Sequence, residues 1–187
     1  MAAKSTDKIY QIKVTLKGSK PPIWRRLLVS NTITLGQLHE VLQIAMGWTN
    51  SHLHQFIAGE SYYGLPDPDF DLDVIDEGTV KLNQLLKQEK DAIIYEYDFG
   101  DGWEHKVELE KILPFDPEEK LPSCIKGRRA CLPEDVGGAW GYREFLESIQ
   151  DPAHSEYEEL LEWIGGEFDP EYFSVQEVND ELSEYIS

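Results

Sequence analysis

Tyr95-Glu96-Tyr97-Asp98-Phe99-Gly100-Asp101-Gly102-Trp103-Glu104-His105 sets two strands on either side of a tight glycine turn. Gly100 and Gly102 tolerate positive φ, and Asp98 and Asp101 are residues that shape turns, so Ala92–Asp98 and Trp103–Leu113 are expected to pair as a hairpin. Upstream, Tyr10, Ile12, Val14 and Leu16 alternate with Gln11, Lys13, Thr15 and Lys17, the period of two of a half-buried strand. Gly18 to Pro22 turns the chain, and Ile23–Val29 returns. Thr34-Leu35-Gly36-Gln37 reads as a capping box opening a helix with Leu35, Leu38, Leu42 and Ala45 on one face and Gly47 at its end. A third strand over His52–Ala58 completes a β-β-α-β opening.

Residues 60–78 read as an acidic loop punctuated by Gly64, Pro66 and Pro68, and Thr79–Lys87 as a short helix. Beyond Pro114 the texture becomes a Pro- and charge-rich loop as far as Gly138, followed by helices. Tyr142, Phe145, Leu146 and Ile149 share one helical face, and Tyr157, Leu160, Leu161 and Ile164 another. Val178, Leu182 and Ile186 form a third stripe, with Ser155-x-x-Glu158 and Ser174-x-x-Glu177 as capping-box candidates. The expected fold is therefore α+β in one domain. A mixed or antiparallel sheet with an early packed helix spans residues 8–113, and a loop with a helical C-terminal layer spans 114–187.

At 187 residues the chain can bury a sizeable core without staples. Two cysteines, Cys124 and Cys131, do not make a disulfide framework. No apolar run is long enough to span a bilayer, and Met1-Ala2-Ala3-Lys4 opens no signal peptide, so an intracellular, cytoplasmic protein without a membrane partner is expected. The net charge of −19 repels phosphate and disfavours direct nucleic-acid binding. Its distribution is uneven: Lys4, Lys8, Lys13, Lys17, Lys20, Arg25 and Arg26 crowd the first 30 residues, whereas residues 144–187 hold no Lys or Arg. The acidic C-terminal part is expected either to neutralise the basic strands or to be solvated.

His52 and His54, two apart in an expected strand, would leave one face with Cα atoms roughly 7 Å apart, a spacing that suits two ligands of one Zn²⁺ or similar ion. His105, with Asp98 and Asp101, would complete a His/carboxylate set if the hairpin end lies near that strand; His52, His54 and His105 are the candidate metal ligands. The competing reading has the histidines hydrogen-bonded within a polar pocket and the aspartates capping the turn. Asp98-Phe99-Gly100 spells a kinase tripeptide without its companion motifs, and turn chemistry explains it. The Asp67, Asp69, Asp71, Asp73 series fails as an EF-hand, with Leu72 and Gly78 where Gly and Glu are required. Cys124 and Cys131 lack a second pair for zinc, and Glu134-Asp135 beside Gly137-Gly138 offers carboxylates best read as capping or solvated. Among the tryptophans, Trp103 and Trp140 adjoin glycine-rich turns and are candidates to line a groove.

Several motifs together resemble the plasmid pRiA4b ORF-3-like family. They are Pro22-Ile23-Trp24-Arg25-Arg26, Leu38-His39, Gly47-Trp48 with His52 and His54, and Tyr97-Asp98-Phe99-Gly100-Asp101-x-Trp103-x-His105. Cys124-x-x-Gly127-x-Arg129-Ala130-Cys131-x-Pro133-Glu134-Asp135-x-Gly137-Gly138-x-x-Gly141-Tyr142, Phe168-Asp169-Pro170-Glu171 and Val178-Asn179 extend the likeness to about residues 8–182. Leu132 and Val136 depart from it, the latter where a further Cys often stands, which weakens a zinc or redox role for that loop. The family has no established activity; resolvase-like labels and DNA-binding modules among relatives imply an accessory role in DNA transactions. The residues themselves contain no complete catalytic constellation. They point to a non-enzymatic binding or adaptor module for a protein or small molecule, with a groove lined by His52, His54, Asp98, Asp101, Trp103 and His105. The alternative is a hydrolase-like enzyme using a divalent metal.

Overall fold

The computed structural model describes residues 7–67, 69, 74–130, 135–166 and 168–186. Asp71, Leu72, Asp73, Cys131, Leu132, Pro133, Glu134 and the Ile186 side chain, all used above, lie outside that set. Among the described residues eight strands form one sheet: β1 (Lys8–Leu16), β2 (Trp24–Ser30), β3 (His54–Ala58), β4 (Ser61–Gly64), β5 (Ile75–Asp76), β6 (Ala92–Tyr97), β7 (Trp103–Pro114) and β8 (Ser123–Arg128). Their spatial order is β5-β4-β3-β6-β7-β1-β2-β8, with only β4 and β5 pairing parallel. The helices are α1 (Leu35–Met46), the single turn α2 (Leu82–Leu85), α3 (Gly138–Ile149), α4 (Tyr157–Trp163) and α5 (Val175–Ile186). The fold is α+β, with the β-β-α-β opening and helical C-terminal layer expected from the sequence.

The capping box forms in both directions. Gln37 N–H donates to Thr34 Oγ1 at 3.1 Å, and Thr34 N–H donates to Gln37 Oε1 at 3.0 Å. Gly47 ends α1 at φ 92°, a conformation a side chain would strain. Leu35, Leu38 and Leu42 of α1 are completely buried in the same core as Ile12, Val14, Leu27, Phe56 and Val107. Each such aliphatic side chain contributes roughly 1.5–3 kcal/mol by leaving water. The β6–β7 hairpin pairs Tyr97 with Trp103 and Tyr95 with His105, which sends Tyr95, Tyr97, Trp103 and His105 into the interior.

Arg25 lies on the buried side of β2. Its guanidinium donates to the carbonyls of Ala45 at 2.7 Å, Trp24 at 2.9 Å and Arg128 at 3.0 Å, and it sits 3.9 Å over the Phe173 ring. One cation thus ties the end of α1 to two strands and to the segment before α5. Arg26, on the outer face, forms a two-point pair with Glu110 at 2.7 and 3.1 Å, and Lys17 reaches Glu104 at 3.2 Å. These basic residues find their carboxylates on β7 rather than on the acidic C-terminal helices.

Four local expectations change. Strand β3 begins at His54, leaving His52 in a bend after Asn50 (φ 56°), so the alternation that would put both histidines on one face does not hold. Residues 114–138, read as a loop, contain β8; Ser123-Cys124-Ile125-Lys126-Gly127-Arg128 has too little apolar alternation to announce an edge strand. Likewise the loop at 60–78 contains β4 and β5. Asn179 of α5 clasps β8 at both backbone groups of Cys124, accepting from its N–H at 2.7 Å and donating to its carbonyl at 2.9 Å. Ser174 accepts the Glu177 N–H at 3.2 Å as expected of a cap, whereas α4 is preceded by Glu156 and has no side-chain cap from Ser155.

Gly127 of β8 is closely packed. A Cβ there would lie 2.6 Å from the Phe173 ring and 2.9 Å from the Trp24 carbonyl oxygen. Gly127→Ala is expected to lower stability by about 1–3 kcal/mol, measured as the urea midpoint. Gly36→Ala, whose added carbon meets nothing nearer than 3.7 Å, should be neutral or slightly stabilising; equal costs at the two positions would contradict this packing.

Candidate metal centre at the hairpin tip

Asp98 occupies the left-handed region at φ 63°, which Asp tolerates better than most residues. Its Oδ1 accepts the N–H groups of Gly100 at 3.1 Å and Asp101 at 3.3 Å, shaping the turn. Its Oδ2 faces His52 Nε2 at 3.6 Å. The same nitrogen lies 3.0 Å from Oδ1 of Asp135, in the turn that precedes α3. Ligand atoms of His52, Asp98 and Asp135 all lie within 4.8 Å of one another. An ion held at about 2.1 Å requires ligand–ligand edges of roughly 3.0 Å at octahedral and 3.4 Å at tetrahedral angles, so the two short edges match a shared ion. Asp98 is buried, the His52 side chain is 28 % exposed and that of Asp135 68 %, so the cluster opens to solvent on one side. These three residues could hold a divalent metal.

Asp101 serves the cluster as scaffold. Its Oδ2 accepts the Gly137 N–H at 3.1 Å, fixing the hairpin tip to the turn that carries Asp135. Gly138 packs so closely that a Cβ would stand 2.8 Å from the Asp101 carbonyl oxygen, and one on Gly141 would collide with the Val136 carbonyl.

The remaining sequence candidates go inward. His105 is fully buried; Nδ1 donates to the Tyr95 carbonyl at 3.0 Å and Nε2 accepts from Trp48 Nε1 at 3.3 Å. Trp103 packs 5.5 Å from Trp48. His54 Nε2 meets both oxygens of buried Glu77, at 2.8 and 3.0 Å. Its ring stacks on His39 with centroids 3.4 Å apart and planes within 6°. His39 donates from Nε2 to Asn50 Oδ1 (2.9 Å) and accepts at Nδ1 from the Tyr95 hydroxyl (2.7 Å), which in turn accepts from Gln43 Nε2 at 2.8 Å. His52, His54 and His105 therefore do not converge. Only His52, with Asp98, belongs to the cluster at the tip, and Trp140 stands exposed on α3.

Burial, reinforced by the charge of His54 and opposed by Asn50, holds the His39 pKa down at about 4. Burial does the same to His105, also at about 4, against the opposing hydrogen bonds to Tyr95 and Trp103. Burial also raises the Tyr95 hydroxyl well above its ordinary value. Sequence reasoning about chemistry missed Glu77 and Gln43 and met His39 only within a family motif. For His39 and Gln43 the signal was polar residues beside the apolar stripe of α1, one turn apart; Glu77, outside that helix, carried none.

A cavity of about 620 Å³ adjoins Asp135 between α3 and α4, lined also by Glu144, Glu147, Ser148, His154 and Trp163. Ser148 and His154 are not a nucleophile and its base. His154 Nδ1 already accepts the Glu156 N–H at 3.0 Å, and Ser148 Oγ donates to the Glu144 carbonyl at 2.9 Å. Cys124 is buried, its thiol pushed up by burial and donating to the Lys126 carbonyl at 3.5 Å, so it is no poised nucleophile.

The hairpin tip and the glycine turn both fall within a match to the plasmid pRiA4b ORF-3-like protein family over residues 8–177. The chain belongs to that family. It is 45 % identical over 158 residues to the uncharacterized protein y4hQ of Sinorhizobium fredii, covering 84 % of this chain and 81 % of that one. It is also similar to a crystal structure of a protein of unknown function from Methanosarcina mazei Go1, with a TM-score of 0.82 and 39 % identity, across 91 % of this chain and 97 % of that one.

His39 and His105 are neutral in the folded protein at neutral pH, whereas the unfolded chain takes up their protons near pH 6.5. Between about pH 6.5 and 4 the unfolded state binds more protons at these positions, so stability is lost as pH falls through that window. Each contributes a slope of roughly 1.4 kcal/mol per pH unit. Thermal melting of His39→Gln should show a shallower fall across the window than the parent; identical slopes would remove His39 from this account.

Proposed function

We propose that His52, Asp98 and Asp135 bind one divalent metal ion and that the protein is a metal-dependent enzyme of hydrolytic type. The observation that carries this reading is the meeting of three ligand atoms within 4.8 Å, two from carboxylates and one from an imidazole. That mixed N/O set suits Zn²⁺ or Mn²⁺, and three protein ligands leave positions for water and substrate. When bound, such an ion polarises a substrate oxygen and lowers the pKa of its water.

This chain's own residues supply the rest. Asp98 is held rigid by its turn, so one ligand is set before any ion arrives. Asp135 stands at the border of the large cavity, where a substrate bound between α3 and α4 would approach the ligands. Glu144 and Glu147 line the same cavity and offer carboxylates for proton transfer.

Isothermal titration with Mn²⁺ and Zn²⁺ tests the reading. One equivalent should bind, and Asp135→Ala should weaken binding at least about 100-fold, since changes behind the ligands alone cost 10- to 100-fold. The exposed position of Asp135 makes this variant safe for folding. At a hundredfold excess over Kd, metal should stabilise the parent by about 2.7 kcal/mol and leave Asp135→Ala unmoved. Binding that ignores Asp135, or no stoichiometric binding at all, would refute the centre; a bound ion without turnover of ester, amide or phosphoester panels would refute the hydrolytic assignment.

A further inference from the structure

A second, smaller cavity of about 50 Å³ lies among the β1–β2 turn, β7 and α3, lined by Lys20, Trp103, Arg129, Tyr142 and Arg143 among others. Two of its donors are buried without an acceptor among the described residues. Trp103, 2 % exposed, has no hydrogen-bond partner for its indole Nε1–H. Arg129, 9 % exposed, pairs through Nη1 with Glu171 Oε1 at 2.7 Å, and its Nε–H finds no partner. Both groups can only donate, and both have been taken from water, so each calls for an acceptor in the cavity. Three cationic side chains line this one pocket in a chain of net charge −19.

We propose that this pocket binds a compact oxyanion, the carboxylate or phosphate group of a ligand, with Trp103 Nε1–H and Arg129 Nε–H as its donors. An oxyanion supplies several acceptor lone pairs at once, and hydrogen bonds from a charged guanidinium to an anion are the strong ones. The volume sets the scale: it admits one such group and excludes a whole nucleotide. Lys20 and Arg143 add favourable charge from the cavity wall. The pocket draws on the same hairpin as the metal centre and on α3, which follows the turn carrying Asp135, but shares no residue with that centre, so it stands independently of that reading.

The test is a ¹H–¹⁵N spectrum of the full chain in EDTA, with the Trp103 indole signal assigned by its loss in Trp103→Phe. Inorganic phosphate and succinate are titrated separately, against chloride at matched ionic strength. A saturable shift of the Trp103 indole with phosphate, succinate or both, absent with chloride, supports the site, and the stronger anion names the ligand's group. Arg129→Lys keeps the charge but removes Nε–H, and should weaken binding about tenfold or more. Lys20→Ala, at an exposed turn, should weaken it by about two- to fivefold. No saturable shift with either anion, or affinity unchanged in Arg129→Lys, would overturn the proposal and leave a cavity filled by water only.

Discussion

The contact between the hairpin tip and the glycine turn before α3 is the constraint on which the candidate metal centre depends. Asp101 accepts the Gly137 N–H, and the Gly138 backbone closes to a distance at which a single added carbon would strike the Asp101 carbonyl. Two segments some 36 residues apart are thereby locked in register. Asp98 comes from one of them and Asp135 from the other, and neither makes a site alone. His52 completes it from the bend before β3, beside Tyr97 with ring centroids 5.8 Å apart.

The histidines divide by burial into two kinds of chemistry. His39 and His105 have both ring nitrogens, and His54 its Nε2, committed to Tyr95, Asn50, Glu77 and Trp48 in a buried network. Such a network specifies the core, because breaking one member strands another in a low dielectric. His52 instead directs one nitrogen at two carboxylates near the surface. An ion would relieve the close approach of those carboxylates and still leave a side open to substrate. The inner network gives the hairpin rigidity; the outer cluster uses it.

Local pattern made much of the fold legible. The alternation of Tyr10–Leu16, the Thr34–Gln37 box, Gly47 and Gly102 of the hairpin each name their own structure, since each rests on neighbours within a few residues; at the tip the second left-handed residue is Asp98 rather than Gly100. Strands β4, β5 and β8 were hidden because short edge strands carry little alternation and form by pairing with what is already folded. The candidate site was legible in its parts: His52, Asp98 and Asp101 stood out, and Asp135 was visible as a carboxylate beside Gly137 and Gly138. Their union was not legible, because it depends on a long-range backbone approach that no local period encodes. His54 and His105 looked equivalent to His52, and only burial separates them.

The relatives in Sinorhizobium fredii and Methanosarcina mazei carry names that assign no activity, so the metal centre must be tested on this chain. Anomalous diffraction from crystals grown with Mn²⁺ does so most directly. The account predicts one peak within about 2.0–2.4 Å of His52 Nε2 and of a carboxylate oxygen from each of Asp98 and Asp135. A peak at His54 and Glu77 instead, or none at the hairpin tip in metal-saturated crystals, would contradict it.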